Sequence, residues 1–211
     1  MQVYRLMLEA YGPQRWWPGD SPFEIMVGAL LTQNTNWRNV EKAITNLKAA
    51  DMLSADSITG CELPRLEALI RPSGYFRQKA ARLQILCRFF LGQGGTPGLQ
   101  AAGTDVLRHQ LLALNGIGPE TADSILLYAL DRPVFVIDAY TRRIFSRLGL
   151  TGPEDGYPEL QGYFTSRLPA DAALFNEYHA LIVQHAKQHC RVRPDCTACP
   201  LGQICPVSQS C

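Results

Sequence analysis

Nearly every apolar run in this chain repeats at intervals of three and four residues, and that period limits the fold more than any other feature. Val3, Leu6, Met7 and Ala10 share one face, as do Trp37, Val40, Ile44 and Leu47, then Ala80, Leu83, Cys87 and Phe90, then Ala122, Ile125, Leu126 and Ala129. Each set predicts an amphipathic helix. Leu160–Leu168 and Leu174–Ile182 predict two more, and Phe23–Leu31, apolar on all sides, predicts a helix buried at the centre. Only Val134–Ile137 is β-like, and it is too short to found a sheet. The expected fold class is all-α. Breaks are expected at Gly12-Pro13, Pro18-Gly19, Pro72-Ser73-Gly74, Gly92–Gly98 and Thr151–Pro158. The longest apolar candidate, Ile125–Ile137, is interrupted by Asp131, Arg132 and Pro133, so no membrane helix is expected. Met1–Tyr11 carries Arg5 and Glu9 and lacks the apolar stretch of a signal peptide.

The last 22 residues have little apolar periodicity but hold five of the seven cysteines. Without a secretory signal, metal ligation is favoured over a disulfide framework. The spacing Cys190-x5-Cys196-x2-Cys199-x5-Cys205 offers four thiolates to one centre, either a [4Fe-4S] cluster or a structural zinc ion. Metal binding would then order a segment that has no core of its own. Cys211 is left outside this set, and Cys61 and Cys87 read as small core residues.

Net charge is only +1, from 20 basic and 19 acidic residues. Nucleic-acid binding would have to use a local basic face. Arg65–Arg88 has six basic residues against Glu67 alone, a pattern read as a solvated helix face.

Leu114-Asn115-Gly116-Ile117-Gly118-Pro119-Glu120-Thr121 lies between two helical segments, with Pro119 at a first helical position. Two glycines around one aliphatic residue permit a tight hairpin beside a helix N-terminus, a backbone geometry that suits phosphate. Twenty residues beyond it, Val136-Ile137-Asp138 opens another helix, with Asp138 suited to cap it. Together with Leu30-Leu31-Thr32-Gln33-Asn34-Thr35 and the terminal cysteines, these motifs resemble the endonuclease III superfamily of helix-hairpin-helix DNA glycosylases over most of the chain. Trp16-Trp17-Pro18, the aromatic Trp37 and Arg71-Pro72-Ser73-Gly74 resemble its helical 3-methyladenine DNA glycosylase branch.

The resemblance implies a catalytic carboxylate at Asp138 and a base pocket of Trp16, Trp17, Pro18 and Trp37. It implies DNA contacts from Gln33, Gly116, Ile117, Gly118 and Thr121, with Gln33 filling the gap left by an extruded nucleotide. It also implies a [4Fe-4S] cluster on Cys190, Cys196, Cys199 and Cys205, although the first spacing is x5 where the family pattern is x6. Strand-cleaving members carry lysine where this chain has Glu120, and a carboxylate cannot form an imine with the sugar. His179, His185 and His189 read as surface residues of a C-terminal helix. The organisation expected is a helical barrel over 21–130, with the hairpin at about 111–130, and a second helical domain formed by 1–20 plus 131–211 with the cluster loop at 190–205. DNA would cross the cleft between them. The expected activity is monofunctional hydrolytic removal of alkylated purines from damaged double-stranded DNA, by a monomer in the cytoplasm, at the nucleoid, or elsewhere inside the cell. A bifunctional glycosylase/AP lyase for oxidised pyrimidines and a non-catalytic DNA-binding module with zinc are the alternatives.

Overall fold

The computed structural model describes residues 1–16 and 19–210. Among them the chain forms twelve α-helices and no strand. In chain order these are α1 (Gln2–Tyr11), α2 (Pro22–Leu31), α3 (Trp37–Ala49), α4 (Ala55–Gly60), α5 (Leu63–Ile70), α6 (Phe76–Gly92), α7 (Gly95–Ala101), α8 (Thr104–Leu112), α9 (Pro119–Ser124), α10 (Ala139–Arg147), α11 (Tyr157–Thr165) and α12 (Ala172–Gln188). They divide into two compact units, Trp17–Asp131 and Met1–Trp16 with Arg132–Cys211. Among the described residues no helix is long and apolar enough to cross a membrane. Trp17, Pro18 and Cys211 lie outside the described residues.

In the unit of α2–α9, α2 is the buried helix its sequence predicts. Ser21 caps it, its Oγ accepting from Glu24 N at 3.2 Å, and Ile25, Met26, Val27, Leu30 and Leu31 are at most 2% exposed. Glu24 is buried too, and its charge is met by Lys48 at 2.9 Å. The expected break over Gly92–Gly98 is shorter than the sequence suggests. Helix α7 starts at Gly95 and takes Pro97 into its first turn, where a missing N–H leaves no bond unmade. Past α9 the helix continues as a π-helical turn, Ile125–Ala129, wholly buried.

The other unit is built on α12, against which α1 and α10 pack. Its core is aromatic: Phe135 stacks on Phe164 at 4.0 Å, and Phe145, Phe175 and Tyr178 meet them edge-on. Val134–Ile137 forms neither helix nor strand, and no strand partners it among the described residues. Side chains from α11 take over the ladder's work: Gln161 Nε2 donates to Phe135 O at 2.8 Å, and Ile137 N donates to Tyr157 Oη at 3.3 Å. Both C-terminal helices differ in extent from the sequence reading. Helix α11 starts at Tyr157 because Gly156 and Pro158 begin it rather than interrupt what precedes it. Helix α12 starts at Ala172, where Asp171 caps it, and runs to Gln188.

Candidate active site and cysteine cavity

Asp138, with extended backbone, stands at the N-cap of α10. Phe135, Val136 and Ile137 are anchored in the core at 0–2% exposure, so the next residue is fixed at the helix start. Its Oδ1 accepts from Thr141 N at 2.7 Å and from Thr141 Oγ1 at 2.9 Å, the geometry of an N-cap. Its Oδ2 lies 3.5 Å from Nε2 of His179, an ion-pair distance rather than a formed hydrogen bond, and 13% of the side chain stays accessible. Burial by itself would raise this carboxyl. His179 and the two Thr141 donors outweigh burial, and the group sits below the usual carboxylate range. It is ionised at neutral pH.

Trp16 stacks on His179, with ring centroids 6.0 Å apart and planes 17° from parallel. Sequence reasoning placed His179 and His185 on the surface. Both are buried, at 5% and 2% exposure, because α12 has neighbours on two sides and its polar positions cannot all face water. The signal in the sequence for His179 is its spacing: it falls one residue after Tyr178 within the buried stretch Tyr178–Ile182. Trp37 belongs to the other unit. It is half-buried, and its ring edge lies 3.3 Å from where a Cβ on Gly28 would stand.

The hairpin between α8 and α9 is held by a polar network. Gln33 Nε2 donates to Gly116 O at 2.9 Å and to Thr121 Oγ1 at 3.0 Å, while its Oε1 accepts from Arg82 at 3.1 Å. Gln33 therefore ties the loop after α2 to the hairpin. Gly116 has φ +85°, and a Cβ there would meet the Arg82 side chain at 2.2 Å, so glycine is required twice over. Ile117 and Thr121 are buried at 6% and brace the turn from inside, whereas Asn115, Gly118, Pro119 and Glu120 are exposed. An ion pair from the partly exposed Arg108 to the buried Asp123, at 2.6 and 3.1 Å, joins the two hairpin helices.

The basic stretch 65–88 is not uniformly solvated. Arg65, Arg71, Arg77 and Arg88 are exposed, but Lys79 is 1% exposed and donates to Leu31 O at 2.9 Å and Ser73 O at 2.7 Å. Burial, and then Arg82, lowers its pKa to about 8. The two carbonyls explain why a lysine is tolerated there.

Cys190, Cys196, Cys199 and Cys205 all line one cavity, walled by Ile144, Leu148, Leu201 and Val207. Cys190, Cys199 and Cys205 are free thiols, and Cys196 is disulfide-bonded. Among the described residues no three His, Cys, Asp or Glu side chains converge as a metal site. The donor chemistry nevertheless fits a thiolate-bound centre once Cys196 is reduced: four sulfurs on one largely apolar cavity, with cationic donors behind them. Arg147 donates to Cys190 Sγ at 3.3 Å and Arg143 to Cys190 O at 2.9 Å. His185 Nε2 lies 3.9 Å from Cys199 Sγ, and its Nδ1 is 2.8 Å from Tyr11 Oη. Burial, with His189 second, lowers the His185 pKa to about 4, so the ring is neutral at physiological pH. Of the other cysteines among the described residues, Cys87 is fully buried as expected, while Cys61 is only half-buried beside the end of α4.

Residues 27–170, which contain both the hairpin and Asp138, match the HhH-GPD superfamily of base excision DNA repair proteins. The chain belongs to that family. A Methanocaldococcus jannaschii member, provisionally assigned as a DNA repair glycosylase, is 46% identical over 207 residues, 97% of this chain and 94% of its own. The H. pylori 3-methyladenine DNA glycosylase, solved with 1,N6-ethenoadenine, aligns at TM-score 0.75 with 31% identity over 89% of this chain and 96% of that one. An endonuclease III trapped in covalent complex with DNA aligns at TM-score 0.84 over 99% of this chain and 96% of that one, but at 23% identity that likeness concerns the fold. This HhH-GPD protein is a DNA repair glycosylase.

Proposed function

We propose that this HhH-GPD glycosylase is monofunctional and hydrolyses the N-glycosidic bond of alkylated purines, of the 3-methyladenine and 7-methylguanine type, in double-stranded DNA. The observation that carries the chemistry is the division of labour at Asp138. Thr141 occupies Oδ1, while Oδ2 belongs to an ionised, partly accessible carboxylate. Such an oxygen stabilises the positive charge that develops on the sugar as the base departs, and it orients the attacking water. A ring-methylated purine is cationic and leaves as a neutral base, so it needs little help from a general acid. One carboxylate then suffices.

Selectivity would come from aromatic faces. Trp16, Trp17, Pro18 and Trp37 are the residues proposed to recognise the base, and an aromatic face favours a cationic base over a neutral one by ~0.5–2 kcal/mol. The substrate class is further supported by the 31% identity to the H. pylori 3-methyladenine DNA glycosylase. Gly116, Gly118 and the N-terminal turn of α9 would receive a DNA phosphate, with Ile117 and Thr121 bracing them and Gln33 available to enter the duplex once released from the hairpin. A [4Fe-4S] cluster on Cys190, Cys196, Cys199 and Cys205 would supply the crosslink that orders the C-terminal segment.

The lyase alternative needs an amine. Position 120 is an exposed glutamate, and Lys79, the lysine with a lowered pKa, is buried on two carbonyls. Duplexes carrying single defined lesions test the reading, with free base and strand breaks scored separately. Release of 3-methyladenine, with abasic sites intact until alkali is added, is the expected result. Release of thymine glycol with β-elimination and a borohydride-trapped adduct would refute it. Asp138→Asn should lower single-turnover excision by ~10²–10⁴ while barely changing DNA affinity.

A further inference from the structure

Helix α12 holds both the carboxylate and the segment carrying Trp16. Glu177 accepts the backbone N–H groups of Gln14 at 2.6 Å and Arg15 at 3.3 Å, which fixes the chain just before Trp16. Two residues later His179 presents one ring atom to Asp138 and its ring face to Trp16. An imidazole with 6% of its side chain exposed gives up hydration that a leucine in the same place would not have to lose. Packing alone does not call for histidine there.

The geometry at Asp138 supplies the reason. Thr141 anchors Oδ1, and a carboxylate held through one oxygen can still turn the other. An imidazole nitrogen facing Oδ2 at 3.5 Å restricts that freedom electrostatically, and reaction rates depend steeply on such placement. We propose that His179 is a positioning residue for base excision: its Nε2 aims Oδ2 of Asp138, and its ring sets Trp16 at a fixed place relative to that carboxylate. Base recognition and bond cleavage are then coupled through one side chain. The inference rests on the reading of Asp138 as the catalytic carboxylate.

The test is a double-mutant cycle on the full-length protein, measuring single-turnover excision of 3-methyladenine and affinity for DNA with an uncleavable abasic analogue. His179→Leu should slow excision by ~10²-fold with affinity changed less than ~2-fold, because it removes the Nε2 donor from the carboxylate. In the Asp138→Asn background the same change should add no further loss. His179→Gln carries an amide close to the Nε2 position and should recover most of the rate, whereas the shorter His179→Asn should not. Comparing those two variants decides the matter if the leucine variant fails to fold. Equal rates for Gln and Asn, or a full additive loss on top of an impaired Asp138→Asn, would overturn the positioning role alone. Full activity of Asp138→Asn would overturn the catalytic carboxylate and this inference with it.

Discussion

Gly116→Ala isolates the tightest joint in the hairpin. Alanine at φ +85° is strained by ~1–2 kcal/mol. Its Cβ would stand 2.2 Å from Nε and 2.3 Å from Cδ of Arg82, so the guanidinium must leave. With it goes the 3.1 Å bond to Gln33 Oε1, a hydrogen bond from a charged donor worth ~1.5–3 kcal/mol. The two terms together give a destabilisation of ~2.5–5 kcal/mol as an upper range, since a flexible arginine recovers part of its loss in water. Urea unfolding followed by circular dichroism measures it, in the wild-type and Arg82→Ala backgrounds. With Arg82 truncated only the backbone strain should remain, ~1–2 kcal/mol, leaving a coupling energy of ~1.5–3 kcal/mol. If Gly116→Ala is destabilising by the same amount in both backgrounds, the close approach of Arg82 is not what requires glycine. A change below ~0.5 kcal/mol would refute the strain argument as well.

Three more outcomes are expected. Lys79 has a native pKa of about 8 against ~10.4 for an unfolded lysine, so between those values the unfolded chain binds the extra proton and stability contributed by this site rises with pH; comparing urea midpoints of wild type and Lys79→Met across pH 7–11 should show that rise only in wild type. Protein purified without oxygen should contain ~4 iron and ~4 sulfide per chain, and Cys199→Ser should lose both along with order in the C-terminal segment; stoichiometric zinc without iron would rule out the cluster. Trp16→Ala should reduce 3-methyladenine excision by ~5–50-fold, the loss of one stacked base contact, and an unchanged rate would make Trp16 a packing residue.

Helical period was enough for the fold class and for the buried α2, because an apolar residue's preference for the interior is written in its own position. Boundaries depended on cap chemistry, and Pro158 shows how it misleads: a proline reads as a break but here opens α11. The polar interior was the least legible part. Lys79, His179 and His185 look like surface residues because sequence carries no sign of the carbonyl, carboxylate or hydroxyl that receives each of them. Those partners lie up to 174 positions away along the chain. Asp138 was visible as a cap and, through the family resemblance, as a carboxylate expected at the reaction centre; only the structure shows that Thr141 takes one of its oxygens while the other faces His179.

That assignment bears on how the protein tolerates change. Reactive groups usually sit at a cost to the fold, and replacing them tends to raise stability. Asp138, the carboxylate proposed for the reaction, does the opposite. Its ionised form anchors the start of α10, and its lowered pKa means the contribution is present above the ordinary carboxylate range and disappears as acid protonates it. A search for thermostabilising substitutions should find no improvement at this position, and Asp138→Ala should melt earlier than Asp138→Asn although both are slow. Under the role proposed for Asp138, heat tolerance and turnover draw on the same carboxylate, so selection for either one preserves the other.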